Sequence, residues 1–336
     1  MAGFWEDHFE LDSIDQTFSN IFDKSLKRSS ISTVDSPSQC KWSAQSQYNT
    51  LCIVSIQILR FTVLEDESKG VSQDYPTFWR FHMRLAVLSD THGNAIAFEA
   101  VIQDLKSQSP DAIVFLGDIV MRGPQPSECI HMVRSLEPLA VIRGNYDDMF
   151  TRFPAPGWVP SNDKEELVLR AYEYDCKRIA HDDQEWLANL PVERAWTFED
   201  VPTEMYHAGP DSLVNVVYPW ASLDEMDILN RSEHTRLVLF GHVHHAYARQ
   251  GKGRLIVNCG SVGLPFDGDN RASYAIVDFN KRDIAVQLRR VAYDIEKALA
   301  TAKALKMPDV EAYEYALRLA RYPYNDYKKL IQTTSS

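Results

Sequence analysis

The chain has 336 residues, enough for one large domain or two ordinary ones with ample surface to bury. With 45% hydrophobic and 24% charged residues it has the composition of a soluble globular protein, and its formal net charge of -12 works against general affinity for nucleic acid backbones or anionic membranes. Five cysteines (Cys40, Cys52, Cys129, Cys176 and Cys259), odd in number and without a CxxC pair, indicate neither a disulfide framework nor a zinc ribbon, and point to a reducing, cytoplasmic setting.

Residues 1–82 differ in texture from the rest. The opening "MAGFWEDHFELDS" is acidic and lacks the basic region and apolar core of a secretory signal. The most apolar early segment, "TLCIVSIQILRFTVL", contains Gln57 and Arg60 and is too short to cross a bilayer. Serines and threonines are scattered through "SSISTVDSPSQCKWSAQSQ" without periodicity, and only residues 50–64 have the pattern of a strand or short helix. A poorly ordered extension is expected over 1–82, native or brought in by an early start codon, and no chemistry is assigned to it.

From Met83 the pattern alternates. "LAVL" leads into "NAIAFEAVIQDLK", where Ala97, Val101 and Leu105 fall four apart and Phe98 and Ile102 thicken the stripe, as an amphipathic helix requires. Then come "AIVFLGD", a helical "PSECIHMVRSL" opened by Pro126, and "LAVIRGN". Such alternation predicts βαβ units and a sheet with helices on its faces. Residues 151–200 read as a helical insertion: a proline-rich loop, "FPAPGWVP", then two helices marked by Asn162 with Glu165 and Asp182 with Glu185. Strand signals return at "EMYH", "RLVLFGH" and "RLIVNCGS". The pair "ASYAIVDF" and "DIAVQLRRV", joined through Asn280-Lys281-Arg282, suggests a more antiparallel second sheet. Two C-terminal helices broken near Pro308 complete the chain from residue 294.

The chemistry sits in the residues directly after each strand. Asp90 and His92 come after the first, Gly117-Asp118 after the second and Gly144-Asn145 after the third; His207 succeeds "EMY", and Gly241-His242-Val243-His244 succeeds "RLVLF". Ligands bind beyond the carboxyl ends of strands in α/β sheets. Taken singly, an aspartate there is a common turn or cap residue and a histidine a common surface or satisfied core group. As an ordered set they have the chemistry of two adjacent cations held by imidazole nitrogens and carboxylate oxygens.

In order, the motifs "SDTHG", "LGDIV", "RGNYDD", "YHAG" and "GHVH" resemble those of the calcineurin-like metallophosphoesterases, and "NCGSVGLPFDGDNRASYAIVDF" is similar to the small prokaryotic phosphatase and phosphodiesterase branch. The resemblance covers about residues 83–293, with residues 294–336 expected to pack on that domain. It implies an α/β fold of two packed mixed sheets flanked by helices. It also implies one ion on Asp90, His92 and His244, the other on Asn145, His207 and His242, and Asp118 bridging both. His207 is preferred to His181 and His234 because it alone directly succeeds a strand-like segment at that place in the order. Two departures stand out: Tyr146 replaces the family's proton-donating histidine, as in other members of the small branch, and Cys259 stands where proline is common and reads as a buried structural thiol.

The resemblance further implies hydrolysis of a phosphomonoester or phosphodiester by a metal-bridging hydroxide attacking phosphorus, with Asp118 and Asn145 central to catalysis. Manganese is the first expectation for the two divalent ions, with nickel, cobalt, iron or zinc as alternatives. Arg122 and Arg143, just beyond ligand positions, are candidates to meet the substrate phosphate. The expected partner is a small phosphate ester, with no membrane and no general nucleic-acid binding, and a homo-oligomer is compatible with the composition. The competing readings are a weak or inactive interaction module on the same fold, which would show ligand loss, and a metal-dependent nuclease, which would need a cationic groove.

Overall fold

Alternation along the first strand, β1 (Met83–Leu88), decides the layering. Leu85 and Val87 face a core shared with a second sheet, while Ala86 and Leu88 face a core under helices. The computed structural model describes residues 83–323; the expectations for 1–82, and for the chain beyond 323, lie outside the described residues.

In the first sheet β1 pairs in parallel with β2 (Ala112–Phe115), which pairs in parallel with the two-residue β3 (Ala140–Val141). The second sheet contains β4 (Glu193–Phe198), β5 (Val201–Tyr206), β6 (Leu237–Phe240), β7 (Ala246–Gly251) and β8 (Arg254–Cys259), in the order β4-β5-β6-β8-β7. Its three central strands are parallel and its two edges antiparallel, so this sheet is mixed. The hairpin β9 (Ala272–Asn280) and β10 (Asp283–Val291) corrects one expectation, because it extends the first sheet: β9 lies antiparallel beside β1. Every residue of β9 from Ala272 to Val277 is buried, which an inner position with both faces covered explains.

Helix α1 (Ala95–Gln108) begins at Asn94, whose side chain accepts from the Ala97 amide at 3.2 Å, and packs Phe98, Val101 and Leu105 against the first sheet. Helix α2 (Pro126–Ser135) begins at Pro126. After the short α3 (Met149–Arg152), the insertion holds α4 (Asp163–Cys176), capped by Asn162 as read from sequence, and α5 (His181–Ala188). The cap of α5 is Ala180, with Asp182 and Asp183 in the first turn, where carboxylates favour the helix dipole without capping. The insertion also ends earlier than residue 200, because Glu193–Phe198 pairs along β5. Two last helices, α6 (Ile295–Ala304) and α7 (Val310–Leu319), pack Leu299, Ala302, Tyr313 and Leu317 with Leu264 and Tyr174. On the outer face of the second sheet, Val238, Phe240 and Ile256 are covered by Val217 and a 3-10 turn carrying Met226 and Leu229.

Among the described residues no helix is long and apolar enough to cross a membrane.

Candidate metal centre

The strand ends are knitted into one surface by main-chain bonds. The Asp90 amide donates to Gly117 O (2.9 Å), the His92 amide to Asp118 O (3.0 Å) and the Gly241 amide to His207 O (2.9 Å), while the His242 amide donates to the Asp90 carboxylate (3.1 Å). Two glycines of the motifs permit this approach: a Cβ on Gly144 would lie 2.1 Å from Asp118 Oδ1, and one on Gly241 would lie 2.2 Å from Ser89 Oγ. Asp90, His92, Asp118, His242 and His244 all hold left-handed backbone, with φ of 57°, 48°, 53°, 67° and 54°. Each such residue costs of order 1–3 kcal/mol, and such strain concentrates at functional sites.

The seven sequence-predicted ligands come together as two adjoining groups. In the first, His92 Nε2 and His244 Nε2 are 3.1 Å apart and lie 3.6 and 3.2 Å from Asp90 Oδ1. In the second, His207 Nε2 lies 3.2 Å from His242 Nδ1, 3.0 Å from Asn145 Oδ1 and 3.5 Å from Asp118 Oδ2. That Asp118 oxygen is also 3.7 Å from His92 Nε2, so one carboxylate oxygen reaches both groups. His181 and His234, the rival imidazoles, are exposed on the insertion and on a loop.

The donor set fits cations. His207 Nδ1 donates to Leu116 O at 2.7 Å and His244 Nδ1 donates to Leu264 O, so in the neutral ring each Nε2 has a lone pair facing other acceptors. Buried lone pairs and carboxylates converging at such distances repel unless positive charge lies between them, and backbone carbonyls of this kind commonly orient metal-binding imidazoles. Protonation does not supply that charge at His92, which burial lowers to about 4, nor at His242, which burial holds well below its ordinary value. Burial also opposes the charge of Asp90, but the imidazoles of His244, His92 and His207 outweigh it and hold its carboxyl well below the usual range. Asp118 is pushed well above that range by burial and by the charges of Asp90 and Asp147.

Two buried carboxylates that the sequence did not single out as site residues build the frame. Asp147 accepts from the amides of Asp118 (2.8 Å), Ile119 (3.0 Å) and Gly144 (2.9 Å), so it clamps the β2 loop to the β3 loop. Asp175, on α4, accepts from the Met121 amide at 2.7 Å and pins the next part of the β2 loop, where Met121 and Arg122 are both left-handed. The signal for Asp147 was present in "RGNYDD"; that for Asp175 was not, because it reaches the loop only through tertiary packing.

Arg122 is buried, with its guanidinium 4.6 Å over the Tyr146 ring and in contact with the Tyr146 hydroxyl. Its charge is among those that depress His92 and His242, so it senses both groups. Arg143, the other candidate to meet the substrate phosphate, donates to Ala188 O at 2.6 Å and pairs with Asp148 at 3.2 Å, which joins the end of β3 to the insertion. Cys259 is a buried free thiol whose pKa burial raises well above the ordinary value, in keeping with a structural role. His245 donates from Nδ1 to Val243 O at 2.6 Å and sets its ring edge-on to Tyr218 and Trp220.

A sequence profile of the calcineurin-like phosphoesterase superfamily domain matches residues 83–282, which contain all seven candidate ligands and every strand of both sheets but β10. The chain belongs to this superfamily. It is similar to an uncharacterised protein of Methanocaldococcus jannaschii, at 29% identity over 249 residues covering 67% of this chain and 94% of the relative. A metallophosphoesterase from Sphaerobacter thermophilus has a similar crystal structure, with a TM-score of 0.56 and 26% identity, covering 71% of this chain and 99% of that one. A hypothetical protein from Pyrococcus horikoshii shares the fold, with a TM-score of 0.61 and 20% identity over 71% of this chain and 98% of its own. Superfamily membership makes the two ligand groups candidate sites of a metal-dependent phosphoesterase.

Proposed function

We propose that the protein hydrolyses a small phosphomonoester or phosphodiester at a two-ion centre. One ion would be held by Asp90, His92 and His244 and the other by Asn145, His207 and His242, with Asp118 within reach of both groups. The observation that carries this reading is the position of Asp118 Oδ2, 3.7 Å from His92 Nε2 and 3.5 Å from His207 Nε2. Two divalent cations bound there would supply charge neutralisation for phosphoryl oxygens and activation of water at neutral pH. The chain does the rest. Asn145 offers an amide oxygen that binds without adding charge, and the clamp of Asp147 fixes the spacing between Asp118 and Asn145. Arg122 meets the phosphoryl group with a guanidinium held against Tyr146. Manganese is the metal we propose first, since a mixed imidazole and carboxylate set with an amide oxygen suits it, with nickel, cobalt, iron and zinc as alternatives. Free Cys129, Cys176 and Cys259 support a reducing, cytoplasmic setting.

The test is a panel of mono- and diesters assayed with Mn, Ni, Co, Zn or Mg added to metal-stripped protein, alongside Asp118→Asn. That variant is expected to lose about 100-fold or more of the activity and to bind fewer than two ions, with its circular dichroism unchanged. Full activity with two ions still bound would overturn the two-ion reading.

A further inference from the structure

Six side chains from distant parts of the chain touch in a closed ring around the first ligand group. The His92 ring meets Tyr146 edge-on at 5.6 Å and His244 at 4.9 Å. Phe266 stacks flat on His244 at 4.3 Å, and Tyr322 meets Phe266 edge-on at 5.4 Å. Arg122 closes the ring, with its guanidinium 5.5 Å from the Tyr322 ring and 4.6 Å from the Tyr146 ring. Five of these residues lie inside the segment that matches the superfamily; Tyr322 lies 40 residues beyond its end at 282.

Tyr322 is brought there by specific contacts. At the end of α7, Ala320 turns left-handed (φ 49°), donates to Ala316 O at 2.9 Å and accepts from the Gly268 amide at 3.1 Å. Asn270 adds a bond to Arg318 O at 3.4 Å. The loop so held carries Phe266, whose own amide donates to His244 O at 3.2 Å. The exit of the last helix is therefore coupled through one short loop to a metal-ligand position, and Pro323 is buried directly after Tyr322.

We propose that Tyr322 is a positioning residue, whose ring, together with that of Tyr146, packs on the Arg122 guanidinium and holds it for the substrate phosphoryl group, which makes the C-terminal segment part of the substrate site. The inference rests on the phosphoesterase reading above. A guanidinium in contact with two aromatic rings keeps its charge while losing rotamer freedom, so less ordering remains when an anion binds.

The experiment measures inorganic phosphate binding to the Mn-loaded full chain by calorimetry, together with kcat and KM for bis(p-nitrophenyl) phosphate. Tyr322→Ala is expected to weaken phosphate binding and raise KM by about ten-fold with kcat changed less than about two-fold, and Tyr322→Phe to stay within about two-fold of the parent. Tyr322→Leu, which keeps apolar bulk against Phe266 without an aromatic face, is expected to behave like Tyr322→Ala. Arg122→Ala and Arg122→Ala/Tyr322→Ala should bind phosphate equally weakly, since the ring acts through the guanidinium. Additive losses, a Leu variant as good as Phe, or phosphate affinity indifferent to Arg122 or to Tyr322 would each overturn the proposal. Phosphate binding that matches the expected pattern in a protein that hydrolyses no ester would uphold the positioning role and overturn the phosphoesterase reading instead.

Discussion

Tyr146 is where the residue scale has its sharpest chemical consequence. It stands at the position that resemblance gives to a proton-donating histidine, and its hydroxyl is engaged by Arg122. A phenol with an ordinary pKa of about 10 is a weaker acid at neutral pH than an imidazolium poised at about 6.5. Hydrolysis is therefore expected to depend steeply on the leaving oxygen, with aryl esters good substrates and alkyl phosphates poor ones. Tyr146→His should flatten that dependence, and kcat/KM across a leaving-group series for both proteins is the measurement; an unchanged slope would assign the acid elsewhere. His245, directly after the last candidate ligand, is disfavoured because burial lowers its pKa. The histidines supply a second prediction. His207 is fully buried beside Asp118, whereas His181 and His234 are exposed, so His207→Ala should cost about 10–100-fold in activity or metal affinity and the other two little. The candidate ligand positions stood out in the sequence because each is a polar residue at or just beyond the end of a strand-like segment. Phe266 and Tyr322 did not, because an aromatic in a loop carries no sign of what it will stack on.

At the scale of elements, the site depends on how loops are tied to one another. Asp147→Ala would leave three buried amides, those of Asp118, Ile119 and Gly144, without their acceptor. A loss of roughly 3 kcal/mol in urea unfolding and weaker metal binding are expected, and an unperturbed variant would show that the clamp is dispensable. Asp175 ties α4 to the β2 loop, and burial pushes its carboxyl up to about 8. The native state then keeps a proton that an unfolded carboxyl releases at about pH 4, so stability is fullest below that pH and falls as pH rises towards about 8, by up to about 1.4 kcal/mol per pH unit. Asp175→Asn keeps an acceptor for Met121 and abolishes the titration. Relative to the parent it should gain stability between pH 5 and pH 9, read as Tm without metal, and parallel profiles would contradict the assignment. Element type tracked the hydrophobic pattern closely, but β4 did not, since most of "ERAWTF" is exposed at a sheet edge and shows no buried alternation. The hairpin was recognised while its sheet was not, because pairing partners distant in sequence leave no local trace.

For the whole molecule, the segment that matches the superfamily begins at residue 83, and all seven candidate ligands lie within it. A chain beginning at Met83 is accordingly expected to fold, bind metal and hydrolyse the same esters as the full chain; insolubility or loss of activity would show that residues 1–82 contribute to the domain. Removing the segment after Val291 should be far more damaging, because α6 and α7 bury Leu299, Tyr313 and Leu317 against Leu264 and Tyr174. Tyr322 goes with it.

The left-handed backbone at His242, with φ of 67°, sets the usual ranking of substitutions on its head. In most folded positions glycine is the more damaging replacement and alanine the gentler one, but at this φ alanine keeps the Cβ that opposes the turn and glycine removes it. In metal-free protein His242→Gly should therefore melt above His242→Ala, although both lose the imidazole. Were the site to drift out of use, glycine would be the easiest residue to settle there, and a relative with glycine at this position would be a more robust protein with one ligand fewer.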